Sequence, residues 1–431
     1  MRKTAASRGL HELYREDPDK ADRLLFGRVT HPDRRGFLKG AGLGAMAALL
    51  GAAIPFHRNM PAHFIPVALA DQPTIQGKDG LVVLNDRPLN AETPAHLLDD
   101  PITPSERHFI RNNGIPPVNV DASTWTLTVD GLVETPLTLG IDDLKRRFAV
   151  VTAALTLECA GNGRAFFDPP ADGAQWTYGA VACSKWTGVR LADVLKAAGV
   201  KEGVVYTAHE GADTHPAGAA SGLPISRGVP LAKAMEPHTL LAFAQNGQAI
   251  HPMNGAPLRL VVPGWPGSCS QKWLTRIWLR DRVHDGAKMT GTAYRVPARP
   301  LAPGAPLDES DFVIIGAMPV KSLITHPATG HSSAARVVET RGHAWAGERT
   351  VKSVGLSTDF GATWIDAALD EPVNAHAWQN WRASIAFPGP GYYEIWARAT
   401  DSEGIGQPHA IAWNPKGYLN NALHRVAVTV T

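Results

Sequence analysis

The sequence predicts an α+β chain: a mixed region of strands and short helices, followed by an all-β sandwich. Three observations carry this reading. Between residues 125 and 199, alternating apolar runs stand beside a helical pattern. A Pro/Ala-rich run, Ala298 to Pro306, then punctuates the chain as a linker. Beyond it only period-two patterns remain, spaced by turns. A length of 431 residues suits two or three packed cores. With 44% hydrophobic and 19% charged residues the chain is neither disordered nor a polyelectrolyte. A net charge of +2 gives no reason to expect nucleic acid as partner. Three cysteines are too few for a disulfide scaffold, while 41 glycines and 34 prolines indicate many loops.

Residues 1–70 read as an address. Asp33-Arg34-Arg35-Gly36-Phe37-Leu38-Lys39 is a twin-arginine run, and no residue from Gly40 to Phe56 is charged. That stretch is short, rich in Gly and Ala, and suits a signal h-region better than a membrane span. Ala68-Leu69-Ala70 supplies an A-x-A cleavage site. The expectation is a twin-arginine signal peptide, a periplasmic protein exported folded, and no membrane span in the mature chain. Residues 1–70 hold 11 Lys+Arg and 6 Asp+Glu; the remainder, with 31 and 34, is mildly acidic.

The elements follow in order. Leu81 to Leu84 is a short strand candidate, and Trp125 to Val129 alternates before turning at Asp130-Gly131. Leu191, Val194, Leu195 and Ala198 have helical spacing, stopped by Gly199. Long Gly/Pro loops at Glu210 to Gly228 and Val262 to Ser270 are of the kind that carries function. After the linker, Thr350 to Thr358, Tyr393 to Ala399 and Val426 to Val430 read as sandwich strands. The expected divisions are 71–305 and 306–431.

Chemistry concentrates at Thr156-Leu157-Glu158-Cys159-Ala160-Gly161-Asn162-Gly163-Arg164. Here a cysteine closes an apolar strand and enters a Gly-Asn-Gly turn, where backbone can approach a bulky group. The neighbouring Arg164 favours a thiolate. Taken alone, a free cysteine is more commonly a small buried hydrophobe.

The surroundings lift this segment above that. His108-Phe109-Ile110-Arg111-Asn112-Asn113-Gly114 lies upstream, and Trp176 and Lys185-Trp186-Thr187-Gly188 lie downstream. Asn254-Gly255-Ala256-Pro257-Leu258-Arg259, Gln271-Lys272-Trp273-Leu274, Trp413-Asn414-Pro415-Lys416-Gly417 and His424-Arg425-Val426 follow. As an ordered set, from about residue 80 to the end, these motifs resemble the sulfite oxidase family of molybdenum enzymes.

The resemblance implies a mixed α/β molybdopterin-binding domain followed by an immunoglobulin-like dimerisation domain. It implies molybdenum with one molybdopterin, and Cys159 as the protein ligand, a soft thiolate for a soft metal. Arg111 and Arg164 match the family's substrate-pocket arginines, Trp176 its pocket tryptophan and Tyr294 its active-site tyrosine. Cofactor contacts are expected from Phe109, Ile110, Arg111, Asn112, Asn113, Asp213, Asn254, Arg259, Ser270, Gln271 and Lys272. Guanidinium forks suit a sulfur oxyanion, and a tyrosine hydroxyl can donate a hydrogen bond or pass a proton.

Asn113 and Asn254 depart from the family, standing where its animal members carry histidine. Either Lys416 or Arg425 could add a cation to the pocket, and Cys183 and Cys269 could pair or stay free. No Cys-x-x-Cys-His haem site is present, so the expectation is no haem in this chain and an external c-type cytochrome as electron acceptor. The expected assembly is a homodimer or a cytochrome-bound heteromer. The leading function is oxidation of sulfite to sulfate. Its rivals are the molybdenum subunit of a sulfane dehydrogenase and a non-catalytic exported binding protein; a methionine-sulfoxide reductase would lack the sandwich.

Overall fold

Residues 74–431 are described in a computed structural model. The twin-arginine run, the uncharged stretch and the A-x-A site lie outside the described residues. The strand Val150–Glu158 positions the site. Its first half alternates in exposure and its last five residues are all buried, because that half runs under the C-terminal sandwich. It pairs antiparallel along its length with Val181–Arg190. Leu240–Gln245 extends this sheet and turns at Asn246-Gly247, both at positive φ, into Gln248–Ala249. An Asn-Gly pair suits such a two-residue hairpin because both central residues must be left-handed.

A second five-stranded sheet runs Leu137–Gly140, Thr126–Gly131, Leu274–Arg280, Tyr206–Gly211, Gly228–Pro230. The strand predicted at 125–129 is therefore present, and its pairing with Leu274–Arg280 is parallel. The predicted helix is Leu191–Ala198, ended by Gly199 at φ 72°. Leu191, Val194, Leu195 and Ala198 drive one face into a core with Val129, Leu139, Leu241, Leu260 and Ile277. Truncating one such leucine to alanine costs about 2–5 kcal/mol.

The C-terminal strands form the two sheets of a sandwich. One is ordered Lys321–His326, Val337–Trp345, Gln379–Ala386, Ala368–Leu369; the other His331–Ser333, His424–Val430, Gly391–Asp401, Val351–Ser357, Ile365–Asp366. Val426, Val428 and Val430 meet Ile395, Ala397 and Ala399 in its core, as their alternation predicts. The Pro/Ala-rich run is not a free tether. Its flanks, Arg295–Pro297 and Phe312–Ile314, pair antiparallel and fold it back on itself.

The sandwich packs on the first region through a seam of its own. Leu98, Ala154, Val181 and Cys183 from one side meet Leu323, Trp345, Ala377 and Trp378 from the other. Polar atoms cross it too: Trp378 Nε1 donates to the Pro101 carbonyl at 2.7 Å, and His343 Nε2 lies 2.7 Å from the Leu98 carbonyl. Among the described residues, no helix is long and apolar enough to cross a membrane.

Candidate active site

Cys159 ends the strand Val150–Glu158 and starts a tight turn. Its own N–H donates to Ala180 O at 2.9 Å, and its carbonyl accepts from Asn162 N at 2.9 Å. Gly163 makes the turn at φ 96°, a left-handed value that a side chain would strain. The result is a rigid mount for one sulfur, held by main-chain bonds.

A cavity opens over that sulfur. It is lined by Phe109, Arg111 and Asn113, by Asn254 and Arg259, by Ser270, Gln271 and Lys272, and by Asp213 and Tyr294. Segments far apart in sequence thus bring nine of the expected cofactor contacts, together with Cys159 and Tyr294, to one space. Arg111 and the Cys159 sulfur face the same cavity. Burial opposes the charge on Arg111, yet the ionisable Tyr294 and Cys159 beside it outweigh this and hold its pKa up.

The electrostatics are lopsided. Burial pulls Arg259 down to about 9 and Lys78 down to about 7, and Lys272 falls well below its ordinary value through burial and repulsion by Arg259. Burial pushes Asp213 up to about 6, against the pull of Lys272. Among the described residues, no carboxylate lies within salt-bridge distance of Lys78, Arg111, Arg259, Lys272 or Lys288. The buried Ser268 Oγ and Gln271 Oε1, both on lining residues, have no hydrogen-bond partner. Buried cations free of a direct ion pair, with the unpaired Ser268 hydroxyl beside them, are what an anionic ligand requires. The donor set fits a phosphate-bearing pterin that holds a soft metal against a thiolate: Cys159 for the metal, Arg259 and Lys272 for the anion.

Several expected residues stand behind this wall. Ile110 is fully buried core, and the buried Asn112 side chain accepts from Lys272 Nζ. Trp176 packs edge-on to Phe109 behind Cys159, with Ala180 and Ala182, and its indole N–H has no partner. Arg164 is only 7% exposed. Its guanidinium is taken up by the carbonyls of Lys416 at 2.8 Å and Ala174 at 2.9 Å. Neither Arg164 nor Trp176 lines the cavity, because carbonyl groups and aromatic packing hold them in the layer beneath. The Arg425 side chain is exposed beside Glu394 and Trp396, and the Lys416 carbonyl accepts from Arg164. Cys183 and Cys269 are both buried and free.

Other groups belong here without having been singled out by sequence. Tyr418 stacks on Tyr294 with ring centroids 5.5 Å apart, and the Arg164 guanidinium lies over the Tyr418 ring at 5.3 Å. Its strap is tied to the cysteine turn by Leu419 N to Ala160 O and by Asn420 Nδ2 to Gly163 O, each 2.9 Å. The signal was near: Tyr418 follows the Trp413–Gly417 motif directly. Lys78 Nζ reaches Asn254 Oδ1 at 2.5 Å, and Lys288 Nζ reaches Asn113 Oδ1 at 2.6 Å. Each lysine thus serves one of the two asparagines that depart from the family pattern. Glu158, next to the cysteine, is bound by the buried Lys321 and Trp345 of the sandwich.

Fold and site together define a molybdopterin-dependent oxidoreductase. Residues 113–288 match the oxidoreductase molybdopterin binding domain, and residues 313–431 the Mo-co oxidoreductase dimerisation domain. Mitochondrial sulfite oxidase of Rattus norvegicus is 36% identical over 369 residues, covering 81% of this chain and 66% of its own length. Sulfite oxidase of Gallus gallus is 34% identical, covering 80% of this chain and 77% of its own. Among solved structures, the sulfane dehydrogenase SoxCD from Paracoccus pantotrophus matches with TM-score 0.67 and 26% identity, over 94% of this chain and 100% of that one. The chain belongs to the sulfite oxidase family of molybdopterin oxidoreductases, and its cofactor is molybdenum with molybdopterin. It spans just under two thirds of the length of the rat relative.

Proposed function

We propose that this chain oxidises sulfite to sulfate in the periplasm and passes the electrons singly to a separate c-type cytochrome. The observation that carries this reading is the placing of Arg111 and Tyr294 around the Cys159 sulfur in a cavity rich in unpaired cations. When bound, the molybdenum centre supplies the two-electron oxygen-transfer chemistry. The protein does the rest. Arg111 binds the oxyanion by paired charge-assisted bonds and raises the local potential where it enters. Tyr294 presents its hydroxyl to the bound oxyanion as hydrogen-bond donor. Arg259 and Lys272 hold the cofactor's anionic end, and Cys159 holds the metal in one geometry. The twin-arginine run and A-x-A site support export of the folded protein. The C-terminal sandwich supports a homodimer or a heteromer with the cytochrome.

The test is steady-state oxidation of sulfite with ferricyanide or a c-type cytochrome as acceptor. Wild type should turn over and Cys159→Ala should not. A molybdenum-loaded wild type indifferent to sulfite would sink the proposal. A second reading, oxidation of sulfane sulfur carried on a partner protein, is favoured by the likeness to the sulfane dehydrogenase over nearly the whole chain. Turnover of a carrier-bound persulfide without turnover of sulfite would select it.

A further inference from the structure

Tyr294 has one hydroxyl proton, and its direction is set by its neighbours. The phenol oxygen lies 3.2 Å from Asn113 Nδ2 and 3.3 Å from Asn113 Oδ1. The first is within the range of an N–H···O bond, whereas the second is long for O–H···O. Which way the amide faces is decided by a third group. Lys288 Nζ lies 2.6 Å from Asn113 Oδ1. An ammonium can only donate, so the amide atom facing it must be oxygen, and Nδ2 is left to donate to the phenol. Tyr294 then accepts from Asn113, and its own proton is free for the cavity.

Lys288 is held in that position. Its backbone is left-handed, at φ 65°, and its carbonyl accepts from Arg227 Nη1 at 3.0 Å. The guanidinium of Arg227, itself 1% exposed, lies over the Tyr294 ring at 4.8 Å. One arginine therefore braces both the lysine's backbone and the tyrosine's ring. The other wall of the ring is Tyr418.

We propose that Lys288 is a positioning residue which, by clamping the oxygen of Asn113, aims the hydroxyl proton of Tyr294 at the substrate. Without the clamp, Asn113 can turn its oxygen to Tyr294 and take up the proton the substrate would receive. This rests on the reading that Tyr294 faces a sulfur oxyanion.

The experiment is a double-mutant cycle on the holoenzyme with Lys288→Met, Lys288→Arg, Asn113→Ala and Lys288→Met/Asn113→Ala. Lys288→Met should lower kcat for sulfite about tenfold with KM changed less than about twofold, and Lys288→Arg should restore most of it. In the Asn113→Ala background, Lys288→Met should add nothing further. Additive losses, or a raised KM at unchanged kcat, would overturn the proposal in favour of plain charge attraction. A second readout needs no turnover: tyrosine labelled with ¹³C at Cζ, with the Tyr294 resonance identified by its absence in Tyr294→Phe. That resonance should shift in Lys288→Met and return in Lys288→Arg. A shift in an enzyme that ignores sulfite leaves the clamp standing and removes the sulfite reading; sulfite turnover without a shift removes the clamp.

Discussion

Lys321 Nζ lies 3.0 Å from Glu158 Oε1, with the two side chains 5% and 4% exposed, so the residue beside Cys159 is ion-paired to the sandwich. Trp345 Nε1 donates to the second carboxylate oxygen at 2.7 Å, and Asn162 Nδ2 to the first at 3.0 Å. The carboxylate therefore joins the cysteine turn and both sheet-end residues of the sandwich. Lys321→Met leaves a buried carboxylate without its cation and should cost about 3–5 kcal/mol, read from the urea midpoint. Glu158→Gln/Lys321→Met should recover most of that loss, because no net charge is then stranded. Equal stability of single and double variants would show that the pair does not act as a unit.

Cys159→Ser should fold, since the turn is held by main-chain bonds and the side chain is small. It should purify with less than about a tenth of the wild-type molybdenum and lose turnover, because a serine hydroxyl is a poor substitute for a thiolate on a soft metal. Metal analysis and circular dichroism on the same preparation check both halves.

Arg111→Gln removes a guanidinium fork from the cavity. Loss of a charge-assisted contact of about 1.5–3 kcal/mol lowers kcat/KM for sulfite roughly ten- to a hundredfold, chiefly through KM. An unchanged KM would count against its oxyanion-binding role. Arg111→Lys should recover only part, because the planar fork is gone.

Acid should destabilise the sandwich and its seam with the first region. Burial holds His424 down to about 3 and His343 down to about 4. His424 Nδ1 accepts from Ile324 N at 2.8 Å, so the folded state needs that nitrogen unprotonated. The unfolded chain takes up these protons near pH 6.5, whereas the folded chain refuses them until pH 3–4. Stability is therefore complete above about pH 6.5 and falls as pH drops through that window. Thermal midpoints between pH 7 and 4.5 should decline less steeply in His343→Gln than in wild type.

Much of the fold was legible because its elements obey simple periods. Leu191 to Ala198 and Val426 to Val430 lie where their patterns put them, since burial on one face is a local property. The site was partly legible as an ordered set of motifs: Phe109, Arg111, Asn113, Cys159, Asn254, Arg259 and Lys272 share one cavity. Depth was not. Arg164 and Trp176 read as pocket residues, yet Arg164 is bonded away by two carbonyls and Trp176 packs behind the cysteine. Lys78, Lys288 and Tyr418 were invisible for the converse reason: each acts through a partner remote in sequence.

By itself the sequence determined the family, the order of a mixed region and a β sandwich, and the segment around Cys159 where the chemistry concentrates. Those follow from residue type, spacing and period, which the chain carries locally. Only the tertiary structure decided which cations share the cavity without a direct ion pair, and that the Arg164 guanidinium is bonded to the carbonyls of Lys416 and Ala174. It alone ties Glu158 to Lys321 and Asn113 to Lys288, across separations of 163 and 175 residues. Burial and hydrogen-bond geometry depend on contacts that no local pattern records.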